Sequence, residues 1–179
     1  MKVTTNGKTF EVSTVKAFLE QCAEAWKGIN LTPVFVLEHG MQWTTMAPKQ
    51  PKRGVLRGCY MNAANLALAR KDVIYVEGYA AGIIPVMHAW CVDAQGQVLE
   101  PTWPPALWKG ADYFGIPFSR EFLKQRLMTQ EYYGLLDNPT EGWPVQTSPR
   151  GVWIHPNYKE KGTQCRKDPE SSTPSAKNS

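Results

Sequence analysis

The stretch from Gly58 to Trp103 constrains the fold more than any other part of the chain. An Ala- and Leu-rich run, Tyr60 to Arg70, is followed at once by Val73 to Tyr79, Val86 to Val92 and Gln97 to Leu99, each dense in Val, Ile, Tyr or Trp. Ala and Leu favour helix, whereas β-branched and aromatic side chains suit a pleated surface. The order therefore predicts an α+β class, with a helix packed on neighbouring antiparallel strands. It also sets a thiol, Cys59, where the helix should begin, an imidazole, His88, on one strand, and a carboxylate, Glu100, at the end of the next.

With 179 residues and 42% hydrophobic content, the chain can bury a sizeable core, since a domain of roughly 150 residues hides about 70% of its unfolded surface. The reading is a single catalytic-type domain over 1–159. Beyond Tyr158 there are no aromatics and Ser, Thr, Pro and Lys dominate, so 160–179 reads as a disordered tail. No apolar run approaches the ~18 residues of a membrane span. Met1 to Gly7 lacks the apolar stretch of a secretory signal, so the expectation is a cytoplasmic protein with no membrane partner. Cys22, Cys59, Cys91 and Cys165 are widely spaced and read as free thiols.

Elsewhere, Val3 to Thr5 and Thr9 to Val12 flank Asn6-Gly7, the pattern of a tight hairpin. Ser13 is placed to cap a helix over 14–27 whose Val15, Phe18, Leu19, Cys22 and Trp26 share one face. Pro33 to Leu37 reads as a short strand, 39–57 as a long loop, and Tyr113 to Phe118 as an aromatic loop. Ser119 then caps a helix with Phe122, Leu123, Leu127 and Met128 facing inward.

A thiol attacks only as thiolate, and a helix N-terminus or a cationic imidazole favours that form. Cys59 is offered the first by position. Gly58 allows a sharp turn and close approach of substrate, and first-turn N–H groups can face an oxyanion. Strand alternation puts Val86, His88, Trp90 and Val92 on one side and Met87, Ala89 and Cys91 on the other, which argues against a His88–Cys91 metal pair. If Asp93 to Gly96 forms a three-residue hairpin loop with Gly96 left-handed, Trp90 faces Glu100 and the carboxylate comes within reach of His88. A two-residue loop would send Glu100 to the opposite face. Taken singly, each of the three has a plain structural alternative: a buried thiol, a core histidine, a strand-end charge.

Together these residues resemble a known family. Gly58-Cys59 opening a helix, Val76-Glu77-Gly78-Tyr79, His88-Ala89-Trp90 and Glu100-Pro101-Thr102 look like the core of the transglutaminase-like branch of papain-like cysteine enzymes, matched over about 56–103. The resemblance implies a papain-like core with Cys59 as nucleophile, His88 as base and acid, and Glu100, where the family usually has Asp, as the group that orients the ring. It also implies an upstream oxyanion donor, for which Gln42, Trp43 and Gln50 are available and Gln42 or Trp43 is favoured. Gly58, Tyr60, Asn62, Trp90 and Trp103 are the cleft candidates.

The chemistry implied is attack on an amide, isopeptide or thioester through an acyl-enzyme, requiring no cofactor and no metal. Water is the commonest acceptor, so a thiol peptidase or amidase acting on a protein, peptide or small amide is expected, ahead of transfer to an amine. A non-catalytic scaffold that grips another protein through Trp103, Trp108, Tyr113 and Phe114 is the alternative. Nucleic-acid binding through Lys49, Lys52, Arg53 and Arg57 is a weak reading, because no aromatics are interleaved with those charges.

Overall fold

The computed structural model describes residues 2–5, 8–11, 14–26, 31–130, 133–136 and 144–159. The chain opens with an antiparallel ribbon of β1 (Lys2–Thr5) and β2 (Lys8–Glu11), with Thr5 opposite Lys8. The Asn6-Gly7 turn expected between them lies outside the described residues, as do Ser13 and the segment 160–179. Helix α1 (Val15–Ala25) is capped by Thr14, not Ser13: Thr14 Oγ1 accepts the Ala17 N–H at 3.1 Å. Val15, Leu19 and Cys22 face the core, but Trp26, expected beside them, is 42% exposed because the helix ends before it.

The segment expected as a strand at 33–37 is a helix, α2 (Thr32–His39), with Pro33 in its first turn, where a missing N–H costs no hydrogen bond. A short apolar run has the same composition in a buried strand and a packed helix, so periodicity could not separate them. The loop expected over 39–57 contains β3 (Met41–Trp43) before it becomes irregular.

Helix α3 (Cys59–Ala69) follows, then β4 (Ile74–Ala81), β5 (Pro85–Val92) and the two-residue β6 (Val98–Leu99). After a short helix α4 (Pro105–Trp108) comes β7 (Asp112–Pro117), over residues expected as an aromatic loop. The five strands form one curled antiparallel sheet in the order β3-β7-β4-β5-β6, with β7 in its interior. Gly115 and Pro117 suggested a break, but Gly115 sits opposite Gly78, where a Cβ would lie 2.6 Å from Glu77 O and 2.7 Å from Trp90 Cη2. The glycine is there to let the Trp90 ring lie flat on the sheet. Trp90 packs against Tyr113 at 5.1 Å and Trp43 at 5.8 Å between ring centroids, and all three are buried.

Ser119 caps α5 (Arg120–Thr129), accepting the Phe122 N–H at 3.2 Å. Phe122 and Leu123 are buried, whereas Met128, expected inside, is 86% exposed. Short helices α6 (Pro144–Thr147) and α7 (Arg150–Trp153) and a 3₁₀ turn (Pro156–Tyr158) complete the described chain. The Arg120 guanidinium donates to the carbonyls of Ala67, Leu68 and Arg70, satisfying the C-terminal end of α3. Glu77, fully buried, accepts the Tyr75 O–H at 2.8 Å and the N–H groups of Leu135 and Leu136 at 2.8 and 2.9 Å, which ties 133–136 to the sheet. Among the described residues no helix is long and apolar enough to cross a membrane.

Candidate active site

The hairpin loop between β5 and β6 sets the register on which everything at the site rests. Gly96 has φ +75°, its N–H reaches Asp93 O at 3.0 Å, and Asp93 N–H reaches Gln97 O at 3.0 Å. Asp93 Oδ1 also accepts the Gln97 N–H at 2.8 Å, which locks the loop. Cys91 therefore faces Leu99 and Val92 faces Val98, and the same register carried one step further sets Glu100 across from Trp90. This is the three-residue arrangement read from the sequence, and it brings Glu100 to His88.

Glu100 Oε2 lies 2.8 Å from His88 Nε2, and both side chains are almost wholly removed from solvent. Tyr113 donates its O–H to the same oxygen at 3.2 Å. Oε1 accepts the backbone N–H groups of Thr102 at 2.8 Å and Trp103 at 3.0 Å. A buried carboxylate costs several kcal/mol unless its lone pairs are occupied, and here four donors occupy them. The extra methylene of Glu relative to Asp lets the group fold back onto its own downstream amides while still reaching the ring.

With Nε2 on the carboxylate, Nδ1 is the ring nitrogen left for a second partner, and Cys59 lies close enough to the imidazole to raise its pKa. Burial alone lowers the His88 pKa, but the hydrogen bonds to Cys59 and Glu100 and the charges of those partners outweigh it and raise it to about 9. The imidazole is thereby held as a cation through neutral pH. Trp103 stacks on it, with centroids 4.1 Å apart and planes 19° apart, which fixes the ring plane and places a π face against the charge. By contrast, burial pushes the Cys22 and Cys91 thiols up, and Cys91 donates to Ala63 O at 3.2 Å like any packed thiol. These two and the half-buried Cys59 are all free.

Asn62, one turn along α3 from Cys59, holds the approach to that residue. Its Oδ1 accepts the Val55 N–H at 3.1 Å, while Nδ2 donates to Val55 O at 2.7 Å and Thr102 Oγ1 at 3.0 Å. The first turn of α3 is thus tied to the strand end that carries Glu100. Asn62 is 8% exposed, so it is a staple for the loop and not a cleft surface as the sequence suggested. The sharp turn assigned to Gly58 falls one residue earlier: Gly58 has φ −99°, while Arg57 has φ +65°.

The remaining cleft and oxyanion candidates divide. Tyr60 and Trp103 are partly exposed near Cys59 and His88 respectively, whereas Trp90 is fully buried and belongs to the core. Gln42 and Trp43 lie on β3, and the chain just beyond it bridges to β6 at Met46–Val98 as the sheet curls. Gln42 donates to Asp112 Oδ1 at 2.8 Å, and the buried Trp43 ring packs against Trp90 and Tyr158 with centroids 5.8 and 6.4 Å away. Gln50 accepts the Glu100 N–H at 2.8 Å and spends its amide on Ala47 O and Val98 O at 2.8 and 3.0 Å. Each of the three is thus engaged elsewhere: Gln42 with Asp112, Trp43 in the aromatic core, Gln50 with the backbone. The backbone N–H of Cys59, in the first turn of a helix whose N-cap supplies no side-chain acceptor, is the donor at hand.

Sequence reasoning missed Tyr113 as a partner of Glu100, because nothing in an aromatic stretch shows which ring turns toward a carboxylate. Two of the four aromatics assigned to a gripping surface, Tyr113 and Phe114, are buried in β7. Among the described residues no group of three His, Cys, Asp or Glu side chains is arranged to hold a metal. Comparison with family models, with curated proteins and with solved structures finds no match.

Proposed function

We propose that the chain is a thiol hydrolase of the transglutaminase-like, papain-like kind, acting on an amide or isopeptide bond through a covalent thioester. The observation that supports this reading is that one imidazole, His88, is held by a fully buried, four-donor carboxylate and has its pKa raised by the neighbouring thiol of a helix start. A buried histidine that served packing alone would need neither partner.

In the proposed reaction the Cys59 thiolate attacks the carbonyl carbon, and the oxygen that gains charge meets the Cys59 N–H at the start of α3. The C–N bond breaks as His88 gives its proton to the departing amine. Water then attacks the thioester, His88 takes one of its protons, and the acid leaves as the Cys59 sulfur is released. Glu100, Trp103 and Tyr113 keep the ring in one orientation throughout. Transfer of the acyl group to an amine would use the same residues with the amine in place of water.

The test has two parts. Iodoacetamide at neutral pH should alkylate Cys59 at least tenfold faster than Cys22 or Cys91, and equal rates sink the activated-thiol reading. Wild-type protein incubated with cell extract should leave new peptide ends that Cys59→Ala does not; new isopeptide links in their place would mark transfer to an amine.

A further inference from the structure

We propose that the site takes a peptide segment in which an apolar residue lies beside an acidic one. The proposal rests on the thiol-hydrolase reading and names its substrate class. It starts from the two stretches that lead into Cys59 and His88. Between Glu38 and Asp72 the sequence has no acidic residue, and between Glu77 and Asp93 it has no charged residue apart from His88. Lys52, Arg53 and Arg57 are exposed and form no ion pair with any described residue. Arg57 stands two residues before Cys59 in the chain, so uncompensated positive charge lies on the segment that leads into the nucleophile helix.

The same two approaches carry exposed apolar side chains. Leu56 is 70% exposed, and the β4–β5 turn presents Ile83 at 78% and Ile84 at 55%. Ile84 is four residues from His88 along β5, about 13 Å at ~3.3 Å per residue. Scattered exposed apolar side chains need no explanation, but apolar groups on both approaches to one catalytic pair mark a contact surface.

The backbone adds a second, independent observation. Arg57 is the one non-glycine residue with positive φ among the described residues. Glycine would hold that conformation at less cost, so an arginine kept there by the Val55–Asn62 bonds points to use of its side chain. A cation on the segment leading into Cys59, accompanied in the chain by exposed apolar residues on both approaches, is complementary to an acidic residue next to an apolar one.

The test measures binding apart from chemistry, using full-length Cys59→Ala protein and fluorescence anisotropy. Two fluorescein-labelled hexapeptides share a Leu-Val-Leu-Ala core, one preceded by Glu-Glu and one by Lys-Lys. At low salt the acidic peptide should bind at least tenfold more tightly, with the gap closing near 0.5 M salt as screening shortens the reach of charge. Arg53→Glu combined with Arg57→Glu should reverse the order. Because position 57 is conformationally demanding, Lys52→Glu with Arg53→Glu serves as a second charge reversal on ordinary loop backbone and should at least abolish the preference. Equal binding of the two peptides, a preference untouched by either reversal, or tighter binding of a thymidine hexanucleotide than of the acidic peptide would overturn the proposal. Iodoacetamide labelling of wild type, read in parallel, reports on the thiol-hydrolase reading alone.

Discussion

Tyr113 and His88 converge on a single oxygen of Glu100, the phenol at 3.2 Å and the imidazole at 2.8 Å. The two come from strands separated by β4, so the carboxylate links β7 to β5 across the inside of the curled sheet. Removing the phenol O–H leaves the ring packing intact and takes one donor from a buried anion. Tyr113→Phe should cost about 1–3 kcal/mol of stability, read as a lower urea midpoint at unchanged slope. The His88 titration midpoint should stay near its wild-type value, whereas Glu100→Gln should lower it, because that change removes a partner that raises it.

Glu100→Asp keeps the charge and shortens the side chain by one methylene. The shorter acid cannot keep both the Thr102 and Trp103 amides and the His88 ring, so at least one buried donor loses its partner, at about 1–3 kcal/mol. The Cys59 alkylation rate should fall as well. Retention of wild-type stability and reactivity would mean that the amide cradle does not matter.

Glu100→Gln replaces the anion with an amide whose NH₂ cannot accept from the donors around it. By the general behaviour of such orienting acids, turnover should drop by at least about a hundredfold while the circular dichroism spectrum stays native. A drop below about fivefold would count against an orienting role.

The His88 proton gives a pH signature with a definite sign. The ordinary imidazole value is near 6.5, and in the folded chain it is raised to about 9. Between those values the native state holds a proton that the unfolded chain releases, so stability falls as pH rises. The contribution is complete below about pH 6.5 and lost as pH passes through about 9. Nuclear magnetic resonance titration should place the His88 midpoint above 8, and the urea midpoint should be lower at pH 9.5 than at pH 6. A His88 midpoint near 6.5 would contradict this account.

Asn62→Ala should free the loop that ends in Arg57 and Gly58. Loss of three hydrogen bonds to Val55 and Thr102 should destabilise the fold by about 2–4 kcal/mol. Because that loop leads directly into Cys59, its alkylation rate should fall even at temperatures where the variant is fully folded.

Much of this site could be read from the chain because local rules decide it. Helix propensity starts α3 at Cys59, strand alternation puts His88 and Trp90 on one face, and the Asp93 to Gly96 turn fixes the register that delivers Glu100. Elements whose identity depends on distant partners were not legible. The glycine of Tyr113 to Phe118 reads as a breaker until Gly78 and the Trp90 ring are seen against it, and 33–37 is too short for periodicity to separate helix from strand. Gln42, Trp43 and Gln50 sit close to Cys59 in the sequence, yet Gln42 pairs with Asp112, Trp43 packs into the aromatic core, and Gln50 is consumed by the backbone of Ala47, Val98 and Glu100.

Helix α3 is gripped at both ends. Asn62 fastens its first turn to Val55 and Thr102, and the guanidinium of Arg120 closes its last carbonyls. Tilting or sliding α3 would break those bonds. On the proposed function, admission of substrate and release of product would then fall to the chain on either side, and substitutions that slow turnover without touching the chemistry should map to those flanks.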